Sequence, residues 1–205
     1  MSHIITTTDD LKKIYGERSP RADKKVLQKL DKHCRAFIAK CPFLSMATSS
    51  PKLGADCSPK GDAPGFVKVL SDTQLAIPDR PGNNRIDSLL NLLDNPQVGL
   101  LFMIPGVKET LRINGVVQIS VEPDLLKDLS VDGKEPRCAL VVTVHEAYIH
   151  CAKSIMRSEI WNPAKIVDRK ALPSMGQILA DHVAGGLDAD EYDATMEGRY
   201  QKSLY

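Results

Sequence analysis

The strongest constraint on the fold comes from two long apolar segments, Thr110 to Ser120 and Cys138 to Cys151. Both are dominated by aliphatic and β-branched residues, which fit a pleated, packed surface. Their apolar stretches are too continuous for strands with one wet face. They read as strands buried on both faces or closed into a barrel. Val98 to Ile104 precedes them as a third strand, and Asn95-Pro96 ends whatever helix comes before it. A short helix is expected between the two long strands, over Pro123 to Leu129.

Upstream, the spacing predicts short strands over 43–48 and 55–60, separated by turn chemistry at Ser49 to Gly54. Phe66 to Leu70 and Gln74 to Ile77 form a hairpin around Ser71-Asp72-Thr73. Arg85 to Leu93 is a helix with Ile86, Leu89, Leu90 and Leu93 on one face. Helices flank this β-rich centre. A short arm runs from Asp9 to Tyr15 and ends at Gly16. A longer helix is expected from about Ala22 to Lys40, with Val26, Leu27, Leu30, Cys34, Phe37 and Ile38 at helical spacing. Helices near 154–161 and 174–184 and a loosely held polar helix over 188–205 complete the chain. No internal repeat is present. The expected architecture is mainly β with peripheral helices, in one domain. A helical segment, 1–41, leads into a barrel core, 42–152, and a helical extension, 153–205.

Composition narrows the function. Lys and Arg number 27 and Asp and Glu 26, a net charge of +1, which argues against a general nucleic-acid binder. Aromatic residues make up 5% of the chain, too few for a base-stacking platform. No apolar run is long enough to span a bilayer, and MSHIITTTDD lacks the basic and apolar regions of a secretory signal. Five cysteines without a C-x-x-C pair fit a reducing cytoplasm better than a disulfide framework. No metal site is expected: His145, His150 and Cys151 lack a matching spaced pair. Strict strand alternation places His145 and Cys151 on one face and His150 on the other. The G-x-S-x-G elbow, the P-loop and the Rossmann glycine pattern are all missing.

Four segments carry candidate chemistry. The first is Pro78-Asp79-Arg80-Pro81-Gly82-Asn83-Asn84-Arg85, between a strand and a helix. Such a junction offers unpaired backbone N–H groups at the positive end of a helix dipole. Asn83 or Asn84 is placed to cap the helix, and Arg80 and Arg85 supply guanidinium forks for phosphate oxygens. A capped turn with two surface arginines explains the same residues equally well. The second is the rigid loop Ser58 to Phe66, including Lys60, which reads either as a backbone-exposing ligand wall or as an elaborate turn. In the third, strand alternation puts Thr110, Arg112 and Asn114 on one face, where a polar ligand, a subunit interface or solvent would satisfy them. The fourth is the pair Lys153 and Arg157, four residues apart on a helix, which either reaches an anion or belongs to a solvated face. Cys57 is reactive if exposed and a small hydrophobe if buried.

Taken in order, Phe43 to Thr48, Ser58 to Asp62, Ile77 to Arg85, Asp94 to Phe102 and Leu111 to Gly115 resemble the pyridoxamine 5′-phosphate oxidase-like FMN-binding split-barrel proteins. The similarity spans about Lys40 to Val121, and Cys151 to Trp161 resembles the extension of an uncharacterised branch. The resemblance implies a split β-barrel, a homodimer and FMN sites at the subunit interface. It places Asn84 and Arg85, with Arg80 nearby, at the FMN phosphate. Cys57, Ser58, Pro59 and Lys60 fall where the family's second barrel strand runs along the flavin ring. Thr110 falls where a glutamine more usually reaches the flavin. The full set of expected cofactor contacts is Ser58, Lys60, Arg80, Asn83, Asn84, Arg85, Thr110, Arg112, Lys153 and Arg157. No catalytic side chain is assigned. The activity implied is oxidation or reduction of a small molecule, with NADH or NADPH as a candidate reductant. A non-catalytic FMN carrier or sensor, and a split barrel holding haem or a deazaflavin, are the alternatives. The pyridoxamine phosphate oxidases grip their substrate with an Arg- and His-rich C-terminal segment. Gln201-Lys202-Ser203-Leu204-Tyr205 has no such character, so another substrate is expected.

Overall fold

The computed structural model describes residues 3–17, 19–183 and 185–205. Its centre is one antiparallel sheet of seven strands. In chain order these are β1 (Phe43–Ser50), β2 (Gly54–Gly61), β3 (Lys68–Val69), β4 (Gln74–Pro78), β5 (Gln97–Met103), β6 (Thr110–Ser120) and β7 (Ala139–His150). Their spatial order is β2-β1-β5-β6-β7-β4-β3. The sheet curls until its two ends approach one another. Lys60 on β2 pairs with Asp79 just after β4 at 2.8 Å, and Arg80 pairs with Asp62 at 2.7 Å. Side chains, with no backbone ladder between β2 and β4 among the described residues, join the two ends. This is a split barrel.

The inner face follows from alternation. Leu44 and Met46 on β1, Leu100 and Phe102 on β5, Leu111 and Ile113 on β6, and Leu140 and Val142 on β7 are fully buried. Packed apolar side chains of this kind supply most of the driving force for folding. A β-bulge interrupts the β6–β7 ladder, where Asn114 faces Glu146 but Gly115 faces Val144. The extra residue, His145, shifts the phase of β7, so inward positions run 140, 142, 144 and then 147. This corrects the strict alternation expected for His145, His150 and Cys151. Beyond the bulge, Glu146, Tyr148 and His150 continue one face together, and the Tyr148 and His150 rings lie 6.0 Å apart.

The helices are α1 (Thr8–Tyr15), α2 (Pro20–Lys24), α3 (Lys32–Lys40), α4 (Asp87–Asp94), α5 (Pro123–Asp128), α6 (Lys153–Ser158), α7 (Met175–His182) and α8 (Ala189–Lys202). The single helix expected over 22–40 is broken in two. Leu27 exchanges both backbone hydrogen bonds with Ala147 on the free edge of β7, at 2.9 and 2.8 Å. Leu30 N–H donates to the Asp72 carbonyl, and Asp31 then caps α3 through His33 and Cys34. Local helical spacing lost to edge-strand pairing. α3 buries Cys34 and Ile38 against the barrel, while Leu125 and Leu126 of α5 pack on Ala76 and Ala139. In the extension, Ser174 and Gln177 form a reciprocal capping box at α7. None of the helices among the described residues is long and apolar enough to cross a membrane.

Candidate functional site

Where the sheet ends meet, a cleft of about 570 Å³ opens between β2, the loop after β4, the start of α4 and the segment entering β7. That size lies within the usual range for small-molecule sites. β2 is an edge strand, so alternation sends Asp56, Ser58 and Lys60 into the cleft while Cys57 faces outward. Pro59 is tolerated there because an edge strand has one unpaired side. Cys57 is exposed, with its Sγ 2.9 Å from Ser45 Oγ.

Of the expected contacts, Ser58, Lys60, Arg80, Asn83, Asn84 and Arg85 line this one cleft. Thr110, Arg112, Lys153 and Arg157 do not. Thr110 is buried at the start of β6, although alternation groups it with the outward Arg112 and Asn114. Arg112 lies 5.9 Å from the centre of the Tyr148 ring on the outer barrel face, and Asn114 donates to Glu146 at 2.9 Å. Lys153 and Arg157 share the short α6 and are exposed. The cations thus do not all converge within one protomer.

The turn into α4 differs from its expected form. Asn83 does not cap the helix; its Oδ1 accepts from Arg85 N–H at 3.1 Å. Asn84 and Ile86 both have left-handed backbone, with φ of 59° and 54°. Asn adopts this region readily, but a β-branched residue there is strained. Ile86 holds the N-cap position and supplies no side-chain bond. Ser88, in the first turn of α4, is bonded across the cleft. Its hydroxyl donates to Asp56 Oδ2 at 2.7 Å, and Ser58 donates to the same oxygen at 3.0 Å. The Ser88 and Ser58 hydroxyls hold the Asp56 carboxyl below its ordinary range against a smaller opposing effect of burial.

The charges of the cleft are largely paired. Lys60 and Asp79 are mostly shielded from solvent. Asp62 is more enclosed, its side chain 2% exposed and that of Arg80 14%. Burial pushes the Asp62 carboxyl up. The Tyr205 hydroxyl at 2.6 Å, the Ala63 amide and Arg80 together outweigh burial and hold it below the ordinary value. The Arg80 guanidinium also lies 5.4 Å from the centre of the Tyr205 ring. Arg85 bonds Asp87 at 2.8 Å in an exposed pair. Arg137, just before β7, donates to Asn84 Oδ1 at 2.9 Å. Burial raises the thiol of neighbouring Cys138, and the Asp79 charge adds to this.

Sequence reasoning missed Asp56, Ser88 and Arg137, and although Asp62 and Asp79 lay in its candidate segments it did not foresee their pairing with Arg80 and Lys60. Strand alternation along β2, which the loop reading of Ser58 to Phe66 did not use, would have marked Asp56 beside Ser58 and Lys60. Nothing local marks Arg137, which only the barrel topology brings to Asn84.

This geometry defines a split-barrel protein with an arginine-bearing strand-to-helix turn facing an open cleft. The particular family follows from comparison of sequences. The family model described as pyridoxamine 5′-phosphate oxidase matches residues 30–151, more than half of the chain, and the chain belongs to that family. No curated protein matches it. Similar solved structures include HupZ of Group A Streptococcus, 17% identical, with a TM-score of 0.47 over 58% of this chain and 92% of that one. An FMN-binding protein from Syntrophomonas wolfei is 11% identical, with a TM-score of 0.47 over 70% of this chain and 96% of that one. A protein of Clostridium acetobutylicum related to general stress protein 26 is 13% identical, with a TM-score of 0.42 over 58% of this chain and 85% of that one.

Proposed function

We propose that this chain is an FMN-binding flavoprotein, active as a homodimer, that oxidises or reduces a small organic molecule. The observation that carries the reading is the clustering of Asn83, Asn84 and Arg85 with Ser58 at one cleft of a pyridoxamine 5′-phosphate oxidase family member. The donor set fits the cofactor. Arg85 and the turn amides would take the phosphate, because Arg85 is held only by an exposed pair that opens at little cost. Asp56, Ser58 and Ser88 offer acceptors suited to sugar-chain hydroxyls. The free edge of β2 offers backbone groups for a planar ring. Lys60 and Arg80 hold the wall of the cleft through Asp79 and Asp62. When bound, FMN supplies the electron-transfer chemistry, and the protein supplies orientation and electrostatics.

The dimer reading has its own support. Phe43 and Leu101 are exposed on the outer face of β1 and β5, where the register also brings Ser45 beside Leu101 and Ala47 beside Gly99. Leu11, Ile14, Ile160, Ile166, Val167 and Leu172 are exposed as well. Of these exposed residues, Phe43 and Leu101 lie on neighbouring strands of one face, where a partner could cover them together. Arg112 sits in register with Leu101 on the same face, so a partner there would place it at the interface. By this reading Arg112, Lys153 and Arg157 serve the assembled dimer, while Thr110 stays buried within the protomer.

The test is direct. Purified protein is expected to carry flavin absorbance and to release FMN on denaturation. Reduction by NADH or NADPH followed by reoxidation separates an oxidoreductase from a carrier. Arg85→Ala is expected to weaken FMN binding by about 1–3 kcal/mol. A colourless protein that does not bind added FMN refutes the proposal.

A further inference from the structure

Among the cations lining the cleft, Arg137 is held differently. Lys60, Arg80 and Arg85 each have a carboxylate partner, in Asp79, Asp62 and Asp87. Arg137 has none within ion-pair distance among the described residues. Its Nη1 instead donates to the neutral Oδ1 of Asn84 at 2.9 Å. A guanidinium carries five N–H donors, so this bond aims the group while leaving its charge uncompensated and most of its donors available. Pro136 and Cys138, both buried, fix the backbone on either side, while Arg137 itself stays exposed. The side chain therefore projects from an anchored segment into the mouth of the cleft. An anion arriving there displaces no carboxylate from Arg137, whereas at Arg80 it would have to break an enclosed pair.

We propose that Arg137, aimed by Asn84, is the residue that selects a phosphate monoester over its uncharged counterpart at this cleft. Its planar fork matches two phosphate oxygens, a geometry that an ammonium group does not reproduce. The inference rests on the FMN reading for the identity of the ligand, and adds a residue from the β7 entry to the turn residues already assigned. Because Arg137 is reached only through the sheet topology, the Asp79–Arg85 loop and the β7 entry act as two sides of one phosphate site.

FMN and riboflavin, which differ by the phosphate, are titrated against wild type, Arg137→Gln and Arg137→Lys, with thermal melts confirming that each variant folds. Arg137→Gln is expected to weaken FMN binding about 10- to 100-fold, the range for a charge-assisted hydrogen bond, and riboflavin binding less than about twofold. Arg137→Lys is expected to recover only part of the FMN loss. Equal effects on both ligands, or none on either, overturn the inference while leaving the flavin reading standing. If wild type binds neither flavin, the flavin reading falls, and inorganic phosphate decides the Arg137 inference. A saturating shift of the Arg137 Nε–H resonance in labelled protein supports it, and an unmoved resonance overturns it.

Discussion

At the scale of single residues, Asp62 shows how the cleft wall is held. Its carboxylate takes Arg80 on one oxygen and the Tyr205 hydroxyl and Ala63 amide on the other. Removing the charge in Asp62→Asn leaves Arg80 enclosed without its counter-ion. The expected cost is about 3 kcal/mol in urea unfolding near neutral pH. The sign of the pH dependence follows from the lowered carboxyl. A group depressed on folding contributes its stability in full above its unfolded value, near 3.8 here, and loses it as pH falls through the folded value. The stability gap between wild type and Asp62→Asn is therefore expected to be widest above about pH 5 and to narrow steadily below pH 3.8. A gap that does not change with pH would show that the Asp62 charge is not what holds Arg80. The residue scale also shows where local signals stop. Arg85 was legible because a strand-to-helix turn is local, and Ser58 and Lys60 because the Ser58 to Asp62 stretch carries the family resemblance. Arg137 was not, because no pattern within its own segment points to Asn84.

At the scale of elements, the bulge between β6 and β7 governs what faces outward. Gly115 stands at that irregularity, and a Cβ added there would lie 2.1 Å from the Thr143 carbonyl oxygen. The neighbouring strand supplies backbone, which cannot yield as a flexible side chain could. Gly115→Ala is expected to destabilise the fold by at least about 3 kcal/mol, measured by denaturant unfolding, because it forces two ladder strands apart. A change under about 1 kcal/mol would mean that the bulge relaxes freely. The strands themselves were readable from alternation and apolar runs, as were α4 and the Ser174 start of α7. The break between α2 and α3 was not. Helical spacing over 22–40 is real, but Leu27 finds two backbone bonds on β7 that an isolated helix cannot offer. The free edge of a distant strand decided the matter.

At the scale of the whole molecule, the sheet leaves an outer face where small and apolar residues meet, with Phe43 and Leu101 exposed. If a second copy covers this face, a charge placed there opposes association through the cost of burying it unpaired. Leu101→Glu is expected to convert a dimeric wild type to a monomer in light scattering at micromolar concentration, with little change in the barrel's own stability. A wild type that is monomeric under the same conditions removes the dimer and the interface role of Arg112 together.

What the amino-acid sequence determined by itself is whatever local periodicity and turn chemistry encode. That includes the strand segments in their order, most of the helices, the strand-to-helix junction at Gly82 to Arg85 and the resemblance to the family. The tertiary structure alone decided which distant groups meet. It pairs Lys60 with Asp79 and Arg80 with Asp62, carries Tyr205 back to the same carboxylate, and brings Arg137 beside Asn84. The physical reason is range. Strand and helix periods are written over a few neighbouring residues, while ion pairs and edge pairing depend on how a curled sheet closes. Most of the cleft's charge is balanced by such pairs, so its free charge could be read only after the barrel had closed.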